Sequence, residues 1–356
     1  MKASSIPLLP FALVMSAITG LRNWAYDVGL LRIEGIDKPV ISIGNITVGG
    51  TGKTPMAEFL LAELRSMGIQ TAYLSRGYGR KTKGYNFVDP ANGGAETFGD
   101  EAYQVASKFP DVPVAVCERR IDGARRLMES HAFDVLVLDD AFQHRGIRRD
   151  LDWVMVDTTC MPSRDWPLPA GRLRESLSGL RRAQTLILSK FSDTAMCETA
   201  CKELQERFPQ QAIAAFALQP AEILPFNPIA SYLRQTVSSL KGRSVILFSG
   251  IGNPRHFRDT VIRAGADVCA ELIWSDHHRY TAADLEKILA VFESKKEIKG
   301  KLRPALILTT EKDYFRLKAM PWMQRFVQLP FAYMTVGMVP VMGWDAMAVE
   351  IKKLVK

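Results

Sequence analysis

A glycine-rich run early in the chain has the residue types and spacing of a phosphate-binding loop. It comprises Thr47, Val48, Gly49, Gly50, Thr51, Gly52, Lys53 and Thr54. Successive glycines let backbone N–H groups turn toward the phosphates of a nucleotide, while Lys53 reaches the β and γ phosphates and the Thr54 hydroxyl ligates Mg²⁺. The strict pattern has Gly where this chain has Thr47, so an incidental glycine-rich turn is the alternative. The run follows a predicted strand and opens a predicted helix, which favours nucleotide binding.

Two adjacent carboxylates predict the rest of a metal site. Residues 133–140 read Phe-Asp-Val-Leu-Val-Leu-Asp-Asp, an apolar run that ends in Asp139 and Asp140. In nucleotide-binding sheets, a carboxylate at the end of a neighbouring buried strand helps to hold the Mg²⁺ that bridges the phosphates. The expected metal ligands are therefore Thr54, Asp139 and Asp140. Gln143 follows shortly afterwards and either faces the nucleotide or lies in an exposed polar loop.

A third polar group follows the next predicted strand. Ser75, Arg76 and Tyr78 belong to the sequence Ser-Arg-Gly-Tyr-Gly-Arg, which should emerge at the carboxyl edge of the sheet, where ligands bind. Arginine and tyrosine at that edge suit an anionic or sugar-like substrate. Asp100 opens another predicted helix, so it is either a catalytic carboxylate or simply the N-cap of that helix.

Two later segments carry charged side chains without a decisive pattern. Residues 168–175 combine rigid turn residues with Arg172, Arg174 and Glu175, and they either close over a phosphate or form a solvated loop. His277 and His278 follow another predicted strand and otherwise belong to a polar loop. Adjacent histidines point in different directions on most backbones, which disfavours a metal site. One of them can still pair with an acid and assist proton transfer.

The elements that must position these residues alternate between strands and helices. Residues 38–44 predict a short buried strand, and residues 53–67 predict a helix with apolar residues at core spacing. Further strands are predicted at residues 70–75, 133–138, 151–156, 185–189 and 213–218, and helices at residues 100–108 and 121–130. Strands that alternate with helices indicate an α/β fold with a mainly parallel, doubly wound sheet.

A second alternation follows a proline-rich stretch at residues 220–228, which loses periodicity and predicts a linker. Beyond it, strands are predicted at residues 244–249, 268–274, 304–309 and 326–336, with helices after Pro254 and at residues 282–294, and a helix start at residues 310–313. We therefore expect three parts, namely an N-terminal apolar membrane-associating helix in residues 1–35, a P-loop nucleotide-binding domain in residues 36–222 and a smaller C-terminal α/β domain in residues 230–356.

The composition describes a folded, basic protein. The 356 residues are 47% hydrophobic and 24% charged. These fractions are typical of a folded globular protein and exclude a disordered chain. A net charge of +8 favours anionic partners, such as nucleotide phosphates, a phosphorylated substrate, nucleic acid or an anionic membrane surface. The five cysteines lack Cys-x-x-Cys spacing, which disfavours a disulfide framework and a zinc site and fits a reducing cytoplasm.

The N-terminal segment is apolar. No charged residue lies between Lys2 and Arg22, and residues 6–18 are largely aliphatic, interrupted by two prolines. A spanning helix needs about 20 apolar residues, and a signal peptide needs a small-x-small cleavage site, which this segment lacks. We expect a helix that lies in or dips into the cytoplasmic leaflet, with Lys2, Arg22 and Arg32 near the headgroups. The alternative is a helix docked on the protein's own core.

In their order along the chain, these motifs resemble those of the tetraacyldisaccharide 4'-kinase family (LpxK), which phosphorylates a lipid A precursor at the cytoplasmic side of the inner membrane. The resemblance covers most of the chain. It rests on Gly-Asn-Ile-Thr-Val-Gly-Gly-Thr-Gly-Lys-Thr-Pro from Gly44, Ser-Arg-Gly-Tyr-Gly-Arg from Ser75, Gly-Asp-Glu from Gly99, an arginine shortly after residues 114–116, Leu-Asp-Asp-Ala-Phe-Gln-His-Arg from Leu138, Leu-Pro-Ala-Gly-x-Leu-Arg-Glu from Leu168, Gly-Ile-Gly-Asn-Pro from Gly250 and Asp-His-His from Asp276.

The resemblance implies transfer of the γ-phosphate of ATP, with Mg²⁺, to the 4'-hydroxyl of a lipid A disaccharide 1-phosphate at the cytoplasmic face of the bacterial inner membrane. It implies Asp100 as the general base, paired with His277 from the second domain, and a catalytic Lys53. Arg119 is adjacent to Arg120, so the choice between them stays open. No obligate protein partner and no nucleic acid is implied. The resemblance places these further residues in the nucleotide and substrate cleft: Arg120, Arg174, Glu175 and Gln143, with Ser75, Arg76 and Tyr78 on the acceptor side.

Two other functions compete on the sequence alone. A P-loop GTPase or metallochaperone would use nucleotide hydrolysis as a switch. Residues 188–193 lie where a guanine-reading Asn-Lys-x-Asp would be, but the Asn is missing and the spacing is off by one. A nucleic-acid-binding ATPase would fit the positive charge, but the chain lacks aromatic and basic interleaving and a recognised nucleic-acid module. The kinase is therefore the function we expect.

Overall fold

The structure is a computed structural model that describes residues 7–226, 234–296, 306–318, 320, 322–323 and 329–355. We call residues 7–226 the first half and the described residues from 234 to 355 the second half. The elements of the first half are α1 Leu9–Asp27, β1 Val40–Asn45, α2 Lys53–Ser66, β2 Thr71–Ser75, β3 Asn86–Phe87, α3 Ala95–Phe98, α4 Asp100–Lys108, β4 Val114–Val116, α5 Arg120–Ser130, β5 Val135–Asp139, β6 Leu151–Asp157, β7 Thr185–Ser189, α6 Thr194–Arg207 and β8 Ala212–Pro225.

The second half repeats the alternation on a smaller scale. Parts of the strands predicted at residues 304–309 and 326–336 lie outside the described residues. Its elements are β9 Gln235–Thr236, β10 Ser244–Ser249, α7 Pro254–Arg263, β11 Asp267–Ile273, α8 Ala282–Lys296, β12 Leu306–Thr310, α9 Glu311–Lys318, β13 Phe331–Met342 and α10 Trp344–Leu354.

One sheet runs through both halves, in the order β11-β10-β12-β13-β8-β7-β6-β1-β5-β2-β4-β3, with β9 beside β8. Most neighbouring strands are parallel; the antiparallel pairs are β13 with β8, β8 with β9 and β3 with β4. The predicted α/β fold with a mainly parallel sheet is therefore confirmed. β1 lies between β5 and β6, so the loop after β1 opens at the carboxyl ends of the neighbouring parallel strands, where ligands bind in such sheets.

Both faces of the central strands are buried, which explains their continuous apolar runs. Ile41 and Ile43 of β1 point into one core, and Val40 points into another on the opposite face. Successive side chains in a strand alternate between faces, so a strand covered on both sides cannot alternate with polar residues. The doubly wound arrangement follows from this pattern.

The predicted linker at residues 220–228 is wrong for residues 220–225. These residues continue β8, which pairs with β13 along its length. Pro220 lies opposite Val336, beside a register shift, and the Glu222 amide there donates to the Thr335 hydroxyl at 3.0 Å. A bulge accommodates a proline because the interrupted ladder does not need the missing N–H. Residues 227 and 228 lie outside the described residues.

The last described helix packs on the first half. Met347 and Ile351 of α10 are buried in the same core as residues of α2. The Trp344 ring lies 4.9 Å from Phe59 of α2, in an edge-on contact. The β13–α10 segment thus completes a core of the first half, while the division into residues 1–35, 36–222 and 230–356 stays a prediction.

Helix α1 exposes most of its apolar side chains. It spans Leu9–Asp27, within the predicted residues 1–35 and beyond the aliphatic residues 6–18, and Ala12 is its one buried residue. Large side chains along it are 44–66% exposed, namely Phe11, Leu13, Val14, Met15, Ile18, Leu21 and Trp24. Its last turns are nonetheless fixed, because Arg145 donates to the Asn23 carbonyl at 2.8 Å and to Asp27 at 2.6 Å. Among the described residues, no helix is both long and apolar enough to cross a bilayer.

Candidate active site

The glycine-rich loop connects β1 to α2 in the expected way. Gly49 and Gly52 have φ angles of 112° and 94°, a region that side chains with a Cβ rarely adopt. Gly52 caps α2, which begins at Lys53. The free N–H groups of the first helical turn therefore face the loop, and they make an anion-binding position at the positive end of the helix.

Side chains at the ends of β1 and β7 form hydrogen bonds with this loop. Thr51 is buried, and its hydroxyl accepts a hydrogen bond from Asn45 Nδ2 at 3.0 Å. The Ser189 hydroxyl at the end of β7 donates to the Thr51 carbonyl at 2.9 Å. Two strands of the sheet, β1 and β7, thus fix the loop before any ligand is present, which lowers the entropy cost of binding.

The predicted segment at residues 168–175 lies along the loop. The Val48 amide donates to the Arg172 carbonyl, and the Arg174 amide donates to the Ile46 carbonyl, both at 2.8 Å. These bonds form an isolated antiparallel bridge between Thr47 and Leu173. The segment is therefore a backbone partner of the loop rather than a solvated excursion, and it carries Arg174 into the site.

Asp140 is the acidic group that meets the loop. It accepts a hydrogen bond from Arg174 at 2.7 Å and forms an ion pair with Lys53 at 3.5 Å. Burial by itself raises the pKa of Asp140, but Lys53 and Arg174 outweigh burial and hold that pKa below its usual range. Its side chain is 36% exposed. Asp140 is thus an ionised carboxylate at the surface of the cleft.

Asp139 is enclosed instead. Its carboxylate accepts hydrogen bonds from the Tyr73 hydroxyl at 2.7 Å and from the Asp140 amide at 2.9 Å. Burial, with the neighbouring charge of Asp140, raises the pKa of Asp139 to about 6, although Lys53 pulls it down. Thr54 is half-buried in the first turn of α2. The three predicted metal ligands therefore come from the loop–helix junction and the end of β5. The carboxylate of Asp140 is partly exposed, whereas that of Asp139 is buried.

The structure brings Arg120, rather than Arg119, to the acidic pair. Arg120 is buried, and it donates to the Asp139 carbonyl at 3.4 Å and to the Cys117 carbonyl at 2.6 Å. Burial lowers the pKa of Arg120 to about 10. Arg119 points outward and pairs with Asp122 at 3.3 Å.

Buried Glu175 and half-buried Gln143 form a hydrogen-bonded pair next to the loop. Gln143 Nε2 donates to the Asn45 carbonyl at 2.9 Å and to Glu175 at 3.0 Å. Glu175 also accepts hydrogen bonds from Arg182 at 2.9 Å and from Asn23 of α1 at 2.8 Å. Asn23 ties the exposed helix α1 to the floor of the site, a link that the sequence did not reveal. Direct contacts of Gln143 and Glu175 with ligands stay predictions.

The predicted acceptor side follows β2. Ser75 is buried, and its hydroxyl accepts a hydrogen bond from the Gly77 amide at 3.2 Å, so it shapes the turn. Arg76 and Tyr78 are exposed, and the Tyr78 ring lies 5.7 Å from that of His277.

His144 is a further titratable residue near this site, to which the sequence gave no firm role. Burial, together with the charges of Arg120 and Arg76, lowers the pKa of His144 to about 4.

Asp100 and His277 meet across the two halves. His277 Nδ1 lies 3.0 Å from Asp100 Oδ2, and His277 has a φ angle of 58°. Asp100 is the first residue of α4, but Gly99 is the N-cap position and no side chain caps this helix. Sequence reasoning missed Arg316 of α9, which donates from Nε to Asp100 at 2.8 Å. Burial raises the pKa of Asp100, but His277, Arg316 and Lys312 together lower it to about 2.

The second histidine of the pair has a structural partner. His278 Nε2 lies 3.0 Å from Asp284, and its ring stacks on Trp274. The two histidines thus point to different acids, as expected for neighbours in a chain. Within the described ranges, no cluster of three or more His, Cys, Asp or Glu side chains could hold a metal ion.

A glycine loop at the start of α2, a lysine at its end and an acidic pair at the end of the adjacent β5 define a P-loop nucleotide-binding enzyme. A family model described as tetraacyldisaccharide-1-P 4'-kinase matches residues 4–351. The chain therefore belongs to the tetraacyldisaccharide-1-P 4'-kinase family, and it is a kinase of lipid A biosynthesis. The resemblance inferred from the motifs is confirmed.

Individual relatives agree with this family. The tetraacyldisaccharide 4'-kinase of Chlorobaculum tepidum is 35% identical over 342 residues, which cover 94% of this chain and 93% of the relative. That of Chlorobaculum parvum is 37% identical over 343 residues, which cover 94% and 91%. The fold is similar to that of LpxK from Aquifex aeolicus, solved in complex with ATP, with a TM-score of 0.76, 28% identity and 99% of both chains covered.

The family favours a kinase over the competing nucleotide switch, and local contacts agree. In residues 188–193, where a guanine-reading motif would lie, Lys190 forms an ion pair with Asp157 at 2.9 Å. Asp193 caps α6 by accepting a hydrogen bond from the Met196 amide at 2.8 Å. Both side chains are therefore engaged in local structure.

Proposed function

We propose that this chain transfers the γ-phosphate of ATP to the 4'-hydroxyl of a lipid A disaccharide 1-phosphate. Membership of the 4'-kinase family supports the acceptor, and the ATP-bound structure of the Aquifex aeolicus relative supports the donor. The observation that carries the mechanism is the 3.0 Å contact of Asp100 with His277. It joins the two halves at a carboxylate that is ionised at neutral pH.

Residues around the loop supply what a phosphoryl donor requires. Lys53 would contact the β and γ phosphates, with the loop amides from Thr47 to Thr54 around them. Arg120 and Arg174 add positive charge beside the acidic pair. Phosphoryl transfer depends mainly on alignment and on offsetting the charge of the phosphoryl oxygens, which fixed cations in a preformed loop provide.

The donor set fits Mg²⁺. Thr54, Asp139 and Asp140 present hydroxyl and carboxylate oxygens, the hard ligands that Mg²⁺ prefers, and few protein ligands suffice because phosphates and waters complete its shell. When bound, Mg²⁺ would neutralise charge on the phosphate oxygens. Asp140 is the more accessible of the two carboxylates, while Asp139 is held by Tyr73.

Asp100 is the proposed general base. Its carboxylate would accept the proton of the 4'-hydroxyl late in the transfer. By then, in a loose transition state, the bond between the γ-phosphorus and the leaving ADP is already weakened. His277 orients the carboxylate and would share the added proton. Tyr78 follows β2, and its ring lies 5.7 Å from that of His277, which supports the acceptor side proposed for Ser75, Arg76 and Tyr78.

The exposed apolar face of α1 would meet the lipid substrate's membrane. Contiguous exposed apolar surface on this scale marks an interaction site, and a helix lying in the interface would bury it. Arg22 and Arg32 would lie near anionic headgroups. We therefore place the enzyme at the cytoplasmic face of the bacterial inner membrane, without an obligate protein partner or nucleic acid.

The direct test is transfer of label to lipid. Detergent-solubilised full chain is incubated with Mg²⁺, γ-labelled ATP and a lipid A disaccharide 1-phosphate. We expect labelled lipid from the wild type and from Lys202→Ala, which changes an exposed residue of α6, and almost none from folded Lys53→Ala or Asp100→Ala. Free phosphate without labelled lipid would instead support the nucleotide switch. Near-wild-type transfer by Asp100→Ala would remove its role as base.

A further inference from the structure

Arg316 binds the proposed base more closely than His277 does. Its Nε and NH2 atoms lie 2.8 and 2.7 Å from Asp100 Oδ2, while His277 Nδ1 lies 3.0 Å from the same oxygen. Across the part of the chain that the structure describes, the hydrogen bonds and the ion pairs of this carboxylate converge on Oδ2 and none reaches Oδ1. One oxygen of Asp100 thus faces Arg316 and His277, and the other is left for a further proton donor.

Arg316 is itself fixed within the second half. Its NH1 donates to Asp313 at 2.9 Å and to the Gly250 carbonyl at 2.6 Å. Asp313 is fully buried and also accepts hydrogen bonds from the Gly250 amide at 3.1 Å and the Thr310 hydroxyl at 2.8 Å. The side chain of Arg316 is only 6% exposed. It is therefore held rigidly before it meets Asp100 of the first half.

We propose that Arg316 is a positioning residue for phosphoryl transfer, which fixes the Asp100 carboxylate with Oδ1 toward the acceptor hydroxyl and keeps that carboxylate ionised. This inference rests on the proposed function, in which Asp100 accepts the acceptor's proton. The planar fork of arginine can hold one oxygen with two N–H groups, which the ammonium of lysine cannot reproduce. A carboxylate held at one oxygen cannot rotate its other oxygen away from the acceptor.

The charges around Asp100 decide how its ionisation depends on Arg316. Arg316 and Lys312 face it from α9, and His277 faces it from the loop after β11; Arg316 is in turn paired with Asp313. Burial opposes ionisation and is offset by these groups. Removing the Arg316 charge therefore raises the pKa of Asp100, and a larger fraction of the base is protonated as the pH falls.

The test compares two variants, Arg316→Gln and Arg316→Lys, with the control Arg258→Gln. The control removes the same charge from a half-exposed side chain of the second half, which lies 3.7 Å from Glu271. Lipid phosphorylation is measured from pH 6 to pH 9. We expect Arg316→Gln to lower kcat/KM about tenfold or more at pH 7.5, with the deficit growing at lower pH and shrinking at higher pH. Arg316→Lys keeps the charge but loses the fork, so its deficit should vary little with pH. Arg258→Gln should follow the wild type.

A second comparison separates this inference from the proposed function. In an Asp100→Ala background, adding Arg316→Gln should cause no further loss, because the residue acts through Asp100. If Asp100→Ala retains transfer, the proposed base is wrong. If Asp100→Ala is inactive but Arg316→Gln and Arg316→Lys match the wild type, the positioning role is overturned. If the deficit of Arg316→Gln does not depend on pH, the role of Arg316 in keeping Asp100 ionised is overturned. Thermal melting and ATP affinity identify unfolded variants, and Arg316→Lys decides the matter if Arg316→Gln does not fold.

Discussion

A half-buried lysine, Lys108, joins the two halves, and its removal should show how strongly it stabilises them. Lys108 at the end of α4 lies 2.6 Å from Glu58 of α2 and 2.8 Å from Glu311 of α9. The two carboxylates are 8% and 6% exposed, whereas Lys108 is 27% exposed. Replacing Lys108 with Met keeps the apolar stem and removes the cation, so both carboxylates lose their shared partner inside the protein.

The magnitude follows from burial and ionisation. Removing one partner of a buried ion pair costs about 3–5 kcal/mol, and the partial exposure of Lys108 places the loss near the lower end of that range. Burial and the charge of Glu58 raise the pKa of Glu311 to about 7, against a usual value of 4.5. A raised carboxyl pKa favours the protonated folded state. The contribution of Glu311 to the free energy of unfolding is therefore fully present below pH 4.5 and is lost as the pH rises through about 7.

Without Lys108 that pKa rises further, which makes the penalty depend on pH. At pH 5.5 the raised pKa favours protonated Glu311 in both proteins, and Glu58 keeps its hydrogen bond from Gln104. The variant should therefore lose only about 1 kcal/mol, the value of hydrogen bonds. At pH 8.5 the full loss of about 3 kcal/mol should appear. Urea unfolding followed by tryptophan fluorescence at the two pH values gives both numbers.

Two controls make the result specific. Lys202→Met removes an exposed lysine from α6, and it should change the free energy of unfolding by less than about 0.5 kcal/mol. Adding Glu311→Gln to Lys108→Met removes the charge that is stranded, so it should recover most of the loss at pH 8.5. Equal losses at both pH values, or no recovery by Glu311→Gln, would refute the electrostatic explanation.

Three further outcomes test other contacts. Tyr73→Phe removes the hydroxyl that donates to Asp139 at 2.7 Å in a fully buried position, and urea unfolding should show a loss of about 1–3 kcal/mol; an unchanged free energy would mean that Asp139 finds another donor. Arg120→Ala should lower kcat for lipid phosphorylation about a hundredfold while Arg119→Ala stays near wild type, and the reverse order would transfer the role to Arg119. Leu21→Glu places a charge at a 65% exposed position of α1, so co-sedimentation with phosphatidylglycerol vesicles should weaken about tenfold; unchanged binding would exclude this face.

Local signals were sufficient for the parts of the site that one segment builds. The strand at residues 185–189 and the helix at residues 100–108 coincide with β7 and α4, because β7 is a short continuous apolar run and α4 repeats its apolar residues at helical spacing. The glycines of the loop were informative because Gly49 and Gly52 adopt positive φ angles. Here the sequence requirement and the backbone requirement are the same.

Contacts between distant segments were not visible in the sequence. The Thr310-Glu-Lys-Asp run was interpreted as a helix start, yet Glu311 and Arg316 of that helix reach α4 in the other half. Glu175 was predicted to line the cleft, and the sequence did not reveal its hydrogen bonds with Asn23, Gln143 and Arg182. Prolines at residues 220 and 225 suggested a linker because propensity cannot reveal the partner strand β13 that tolerates them.

The place of β13 and α10 in the sheet also constrains how the protein can be made. β1, the loop and α2 leave the ribosome early, but the strand that covers the edge of β8 and the helix that fills the core around α2 are the last elements described. Until residues beyond 330 emerge, the nascent chain carries β8 with an unpaired edge, a template for aggregation. The nucleotide-binding part therefore cannot finish folding ahead of the rest, and premature termination should leave an insoluble fragment rather than a smaller ATP-binding protein.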